Sequence, residues 1–238
     1  MRLHRFFTEF NYNDSEVIIH DSELTHQLVN VFRMKKGDRL ILCDGALHEV
    51  TTEIEEFGKD FFQAKVIERA TNKNEPTIRV VLYCAVLKRE HFEMVVEKAV
   101  ECGVSEIVPM ITERTIKSGL NLERLQKIAK EAAEQSGRGI IPIVHDIVLF
   151  EAALRDAKKN SENIIFDFGG DPLSSTEPAI KRTVGIFIGP EGGFSPEEVK
   201  NAEENDILIR SLGARTLRGE TAAIIATYLV TREGFALS

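Results

Sequence analysis

The stretch from Val184 to Val230 constrains the fold more than any other part of the chain, because it holds two strand–loop–helix units back to back. In the first, the apolar run Val184 to Ile188 leads into Gly189-Pro190-Glu191-Gly192-Gly193 and then Ser195-Pro196-Glu197-Glu198. In the second, Ile207 to Leu212 leads into Gly213-Ala214-Arg215-Thr216-Leu217-Arg218-Gly219 and an apolar helix from about Glu220. Ser195 is a good N-cap, Pro196 suits the first helical position, and Glu198 completes an S-x-x-E capping box. The glycines allow a ligand to approach the main chain closely. If both strands belong to one parallel sheet, both loops lie at the carboxyl ends of strands, where open α/β sheets bind ligands. A single glycine loop reads as a tight turn. Two in tandem, with Glu191, Arg215, Arg218 and Glu220 set among the glycines, read as a site.

The chain upstream supports a sheet of that kind. Ile78 to Leu87 is a nearly continuous apolar run, as in a strand buried on both faces. Phe92, Val95, Val96, Ala99 and Val100 form a helical stripe closed by Gly103. Ser105 to Ile111 reads as a second strand. Asn121 caps a helix through about Gln135, with Leu122, Leu125, Ile128, Ala129 and Ala132 on one face. A strand at Asn163 to Phe168 and a loop from Gly169 to Pro178 follow. Alternating strands and helices imply a mostly parallel sheet with helices on both faces. The first 70 or so residues read differently. Short strands at Glu16 to His20, Arg39 to Cys43, Leu47 to Ile54 and Phe61 to Ile67 are joined by turns such as Asp44-Gly45. One helix interrupts them, with Leu24, Leu28, Val31 and Phe32 as its apolar stripe behind an Asp21/Ser22 cap. A small β-barrel at 1–72, a polar linker and an α/β domain at 76–238 are expected.

Composition narrows the function. With 238 residues and a net charge of −8, the chain is not built to coat nucleic acid non-specifically. Cys43, Cys84 and Cys102 are widely spaced in apolar runs, which predicts buried free thiols in a reducing compartment. MRLHRFFTEF lacks the apolar core of a signal peptide, and Ala222 to Val230 is too short to span a bilayer, so a cytoplasmic protein off the membrane is expected. The six histidines show no metal-ligand spacing, so no metal is expected. Neither phosphate-loop nor dinucleotide fingerprint opens the α/β region. Glu191 inside its glycine loop would repel a phosphate but accept hydrogen bonds from an amine or hydroxyl. Arg2, Arg5, Arg33, Lys35, Lys36 and Arg39, with Phe6 and Phe7 nearby, form a loose basic-plus-aromatic set of the kind that holds single-stranded RNA, matched by acids in the same stretch. The two phenylalanines equally suit a core. Arg138 ends a helix, where the dipole favours a cation in any case.

Several separated blocks resemble one family. Gly189 to Glu198 matches G-P-E-G-G-[FL]-[ST]-x-x-E, and Leu212 to Ala222 matches L-G-x-R-[IV]-L-R-x-E-T-A except at Thr216. His4 to Phe7, His26 to Asp38, Glu97 to Pro109 and Glu131 to Arg138 match further blocks in order, while Lys88 to His91 departs from the usual K-G-[DE]-[KR]. This pattern resembles the 16S ribosomal RNA uracil-N3 methyltransferase family, a branch of the SPOUT methyltransferases. The resemblance implies an α/β fold: a SPOUT-type trefoil-knotted, mostly parallel sheet domain with an N-terminal small PUA-like β-barrel. It also implies a homodimer, S-adenosylmethionine as methyl donor, and 16S ribosomal RNA of the small subunit as partner. Gly189, Pro190, Glu191, Gly192, Leu212, Gly213, Leu217 and Arg218 would hold the donor, largely by backbone contacts. The N3–H of uracil is a weak acid that must lose its proton, so Arg218 would stabilise the anion and Glu220 would orient the base or take the proton. Arg5, Phe6 and Arg33 would dock the RNA, with Gln135 and Arg138 facing the target base. The helix Thr221 to Val230 is expected against the sheet and at the dimer interface. Two other readings fit the residues alone: an α/β enzyme for another adenine-containing ligand, and a non-enzymatic RNA-binding protein.

Overall fold

The computed structural model describes residues 3–116, 119–172 and 183–233. Arg2 of the basic set and residues 173–178 of the expected loop lie outside them. The chain divides into two compact units, residues 1–75 with 133–141 and residues 76–132 with 142–238. The segment 133–141 therefore interrupts the span expected for the second domain.

The first unit contains β1 (Arg5–Phe7), β2 (Glu16–Ile19), α1 (Ser22–His26), β3 (Arg39–Cys43), β4 (His48–Phe57) and β5 (Phe62–Thr71). Its strands form one sheet in the order β1-β3-β4-β5-β2. β1 runs parallel to β3 and the remaining pairs are antiparallel. Alternation turns Leu40 and Leu42 of β3, Val50 and Ile54 of β4, and Phe62 and Ala64 of β5 into one core with Phe6, Leu24 and Leu28. Register shifts at Thr51/Thr52 and Ile54/Glu56 break the β4–β5 ladder. Such bulges bend a strand and raise its twist, so the sheet curls around that core.

The helix in this unit departs from the expected stripe. Asp21 caps α1, its Oδ1 accepting from the Leu24 N–H at 2.9 Å. After His26 the chain widens into a π turn over Gln27–Val31, with the Phe32 N–H donating to the Gln27 carbonyl. The extra residue in the turn rotates the stripe. Leu24 and Leu28 stay buried, whereas Val31 is 66 % exposed and leaves the core. The segment 133–141 is tied to this unit by main-chain groups. The Phe7 N–H donates to Glu134, Asn72 and Asn74 donate to the Gly137 carbonyl, and Glu75 accepts from the Gly139 N–H.

The second unit contains β6 (Arg79–Ala85), α2 (Arg89–Glu101), β7 (Glu106–Ile111), α3 (Leu122–Ser136), β8 (Ile143–Val144), β9 (Val148–Leu149), α4 (Phe150–Ala157), β10 (Glu162–Pro172), β11 (Thr183–Ile188), α5 (Pro196–Glu204), β12 (Leu208–Ser211) and α6 (Gly219–Glu233). The last turn of α3 belongs to the first unit. The sheet runs β12-β10-β11-β6-β7-β8, with β9 also on β7, and every pairing is parallel. β6 and β11 lie side by side in its middle, which is why their sequences are apolar almost without interruption. β10 runs on to Pro172, so the first residues of the expected loop are strand.

One face packs Val81, Tyr83, Ala85, Ile165 and Phe187 against Phe150, Ala153 and Leu154 of α4 and Ala202 of α5. α6 lies against β6 and β11, alongside α2. Phe92, Val95, Val96, Ala99 and Val100, the expected stripe of α2, are fully buried. α6 is buried on one face only. Ala223, Ala226, Thr227, Val230 and Thr231 are enclosed, Ile224, Ile225 and Leu229 are half-buried, and Tyr228 is exposed. Thr231 Oγ1 donates to the Cys102 carbonyl at 2.7 Å, fixing the end of α6 to the end of α2.

Phe187 is the centre of the aromatic packing, stacked on Tyr83 at 4.4 Å and edge-on to Phe150 at 6.3 Å. Phe187→Ala removes a fully buried ring from a rigid sheet. The expected loss is about 3–5 kcal/mol. Chemical denaturation followed by circular dichroism should show it as a lower midpoint.

Candidate active site in two adjoining pockets

The parallel sheet decides where the glycine loops meet. β10, β11 and β12 are adjacent in the order β12-β10-β11, so their carboxyl ends open on the same edge. There a cavity of about 250 Å³ is lined by Phe166 to Phe168 of β10, where its pairing with β11 ends, by Ile188 to Glu191 with Gly193 and Phe194 at and beyond the end of β11, and by Ser211 to Gly213 with Arg215 to Gly219 at and beyond the end of β12. Gly193 and Gly213 take φ of +69° and +112°, backbone that other residues adopt only under strain. Both loops are held from behind. The capping box at α5 is complete, with the Glu198 N–H donating to Ser195 Oγ and the Ser195 N–H donating to Glu198 Oε2. The other Glu198 oxygen accepts from the Glu113 N–H at 2.8 Å, tying α5 to the turn after β7. Ser195 is thereby occupied as a cap, not as a nucleophile.

Of the residues expected to hold a donor, Gly189, Pro190, Glu191, Leu212, Gly213, Leu217 and Arg218 line this cavity. Gly192 does not. Its carbonyl accepts from Arg114 at 2.8 Å, and the same guanidinium donates to the Phe194 carbonyl. Arg114 thus clamps the loop from outside. Phe166, Asp167 and Phe168 form a wall that sequence reading missed. They close the strand expected at Asn163 to Phe168, so the rule that pointed to the other two loops pointed here as well, although β10 itself continues to Pro172.

A second cavity, of about 550 Å³, adjoins the first and shares Glu191 and Arg218 with it. Its other lining residues are Val86, Leu87 and Lys88 after β6, His91 on α2, the exposed Ile116, and Glu220 on α6. Glu220 is only 8 % exposed. Its Oε2 stands 3.6 Å from His91 Nδ1, and neither atom has a hydrogen-bond partner among the described residues. Unsatisfied buried polar atoms are costly and rare, and are common where a ligand completes them. Glu220 lies in the first turn of α6, where the helix dipole favours a carboxylate. Two basic side chains, Lys88 and Arg218, and two carboxyl groups, Glu191 and Glu220, therefore face the same space. Cys84 lies beneath it, fully buried. Burial pushes its thiol pKa up, and the Glu191 and Glu220 charges push it further, so it is a neutral thiol and not a nucleophile.

The residues expected to dock RNA belong to the first unit. Phe6 is 3 % exposed and packs edge-on against Phe32 at 5.3 Å, so its ring has no face left for a base and the stacking role fails. Arg5 is engaged by Glu49 through two hydrogen bonds of 2.9 and 2.6 Å. Arg138, 4 % exposed, is engaged by Glu75. Both guanidiniums brace the unit rather than face solvent. Arg33 and Gln135 are exposed, and Arg33 adopts φ of +55° just after the π turn. Among the described residues no group of side chains suits a metal ion, and no helix is long and apolar enough to cross a membrane.

Comparison with known proteins matches this geometry. The family described as RNA methyltransferase domain matches residues 73–231, and the one described as RNA methyltransferase PUA domain matches residues 21–67. The parallel sheet with its paired pockets is thus an RNA methyltransferase domain, and the curled sheet is a PUA domain. The ribosomal RNA small subunit methyltransferase E of Bacillus subtilis is 32% identical over 223 residues, covering 86% of this chain and 85% of the relative. That of Mesomycoplasma hyopneumoniae is 36% identical over 175 residues, covering 71% and 75%. The chain belongs to the ribosomal RNA small subunit methyltransferase E family. Among solved structures, the Neisseria gonorrhoeae member bound to S-adenosyl methionine aligns with TM-score 0.86 and 27% identity over 97% of this chain and 98% of that one. A putative Legionella pneumophila methyltransferase in complex with the same cofactor aligns with TM-score 0.88 and 30% identity over the whole of both chains.

The thiols test the burial of the site. Burial, with the Glu49 carboxylate adding to it, pushes the Cys43 pKa up to about 12. Cys84 is raised in the same direction, and half-buried Cys102 is raised mainly by burial. A raised pKa means less thiolate, and thiolate is the reactive form. At pH 8 a disulfide reagent such as Ellman's should label Cys102 first. Cys43 and Cys84 should stay silent until the protein is unfolded.

Proposed function

We propose that this chain transfers the methyl group of S-adenosylmethionine to N3 of a uridine in 16S ribosomal RNA of the small ribosomal subunit. The observation that carries the reading is the pair of cavities joined through Glu191 and Arg218. A two-substrate transfer needs donor and acceptor side by side, and a group common to both cavities stands at the reacting centre.

The residues of the first cavity suit the donor. Glycine backbone, Pro190 and Leu217 offer surface to an adenosine, and the Asp167 and Glu191 carboxylates suit hydroxyl, amine or sulfonium groups and disfavour phosphate. When bound, S-adenosylmethionine supplies an electrophilic methyl group. The second cavity suits uracil. The imide edge of uracil reads acceptor, donor, acceptor, and Lys88 and Arg218 with Glu220 supply donors and an acceptor to meet it. Cytosine has no N3–H to give Glu220. In this reading Glu220 takes the N3 proton and Arg218 stabilises the uracil anion that remains.

The rest of the molecule fills out the reading. Residues 1–72 serve as the RNA-docking domain, with Arg33 and Gln135 as its exposed contacts and Arg5 and Arg138 as its frame. Residues 76–238 serve as the methyltransferase domain, knotted as the family resemblance implies. The half-buried Ile224, Ile225 and Leu229 and the exposed Tyr228 of α6 give apolar surface suited to a second copy of the chain in a homodimer. The cytoplasm, where ribosomes assemble, is the compartment in which it acts.

Small subunits from a strain lacking the enzyme, incubated with protein and labelled donor, should acquire N3-methyluridine by nucleoside mass spectrometry. Glu220→Gln should slow transfer about 10²–10⁴-fold with donor affinity by calorimetry unchanged. Arg218→Ala, which lines both cavities, should lower both. Wild-type rates in both variants sink the site assignment. Binding of NAD in place of S-adenosylmethionine favours a metabolic enzyme, and RNA binding without methyl incorporation favours a docking protein.

A further inference from the structure

A carboxylate that takes a proton must lose it before the next turnover, and Glu220 is badly placed to do so alone. Its side chain is 10 % exposed, and its Oε2 has no hydrogen-bond partner among the described residues. The neighbouring titratable group is His91, whose side chain is 28 % exposed and whose Nδ1 lies 3.6 Å from that oxygen. His91 stands in the first turns of α2 and Glu220 at the start of α6, two helices packed together. The other charged or titratable groups around the pair are Lys88 ahead of α2, Arg218 ahead of α6, Glu191 after β11, and the neutral Cys84 thiol on β6. Lys88 and Arg218 offer only hydrogen-bond donors, and Glu191 faces the donor cavity as well as this one. An imidazole has one ring nitrogen to take a proton and another to give one up, and His91 is the imidazole beside Glu220.

We propose that His91 is the proton exit of the acceptor pocket: it takes from Glu220 the proton that Glu220 takes from the substrate base, and passes it to water. This rests on the reading of the pocket as the uracil site. The N3–H bond breaks and its electron pair stays on N3, while the proton goes to the Glu220 carboxylate. N3 forms its bond to the methyl carbon as the methyl–sulfur bond breaks, with the electron pair leaving on sulfur. Glu220 then yields its proton to His91, and the imidazolium gives a ring proton to solvent. One proton is released for each methyl transferred. His91 acts through Glu220 and does not touch the reacting atoms, so it is a positioning residue whose loss spares the first chemical event and hinders the reset.

That order gives a signature a structural role would not. In His91→Gln, Glu220 can still accept one proton. Pre-steady-state transfer should show a burst of about one methyl per site at close to the wild-type rate, then a steady state about tenfold slower near neutral pH. Added imidazole should restore the steady state, and calorimetric donor affinity should be unchanged. A second readout needs no donor. In protein labelled at histidine, the His91 ring signals should move in Glu220→Gln while those of His145 stay in place. Wild-type steady state in His91→Gln overturns the relay. So does a variant equally slow in both phases with no imidazole rescue, or a His91 ring indifferent to Glu220. Nucleoside analysis of the wild-type product separates the two levels. N3-methyluridine leaves the relay to be judged by His91→Gln alone, whereas a methyl group on another atom removes the uracil reading and the relay with it.

Discussion

Parallel pairing is the constraint from which the rest of the second unit follows. When every strand of a sheet points the same way, every carboxyl end falls on one edge, and each must be followed by a crossover that leaves from that edge. Here this gathers the ends of β10, β11 and β12 into one wall. It also forces α6 to return from an edge strand to the middle of the sheet, against β6 and β11. The return brings the first turn of α6, with Glu220, beside the first turns of α2, with His91. The site is therefore a product of strand direction more than of any one loop.

The parts of this arrangement with local causes were legible in the sequence. The apolar runs of β6 and β11, the stripe of α2 and the S-x-x-E box at α5 each follow from residues within a few positions of one another, and each is present. The stripe Leu24, Leu28, Val31, Phe32 has the same kind of local warrant, yet Val31 points outward. A π turn adds one residue to the helical repeat, and apolar spacing carries no sign of that. After the π turn and Phe32, Arg33 takes positive φ and the Met34 N–H donates to the Leu28 carbonyl, so the chain reverses there.

The arginines show a different limit. A cation in a sequence reads alike whether it faces solvent or an acid distant along the chain. Arg5 meets Glu49 and Arg138 meets Glu75, separations of 44 and 63 residues that no local pattern records. Asn72 joins these regions by donating to Glu49 and to the Gly137 carbonyl, so the pairs belong to one braced layer of the first unit. Such half-buried pairs contribute more to fixing one arrangement than to net stability, because desolvation offsets much of their attraction. In a chain with 38 acidic against 30 basic residues, net charge −8, no general excess of cations is available for a broad RNA-binding surface. A ligand recognised by an acidic protein must then be selected by a small number of well-placed contacts rather than by general attraction.

The second cavity illustrates that selection. Its polar groups come from separate elements: Lys88 and His91 at the start of α2, Glu191 after β11, Arg218 and Glu220 around the start of α6. Sequence reading had Glu191, Arg218 and Glu220 from their glycine loops but saw Lys88 to His91 only as a departure from a family pattern. What the fold adds is that the departing residue faces the carboxylate. A lysine or arginine in place of His91 would set a fixed cation against Glu220. Histidine sets there instead a ring nitrogen that can donate or accept a hydrogen bond. The two atoms stand 3.6 Å apart, close enough for a modest movement to bring them into a hydrogen bond and, among the described residues, not already committed to one.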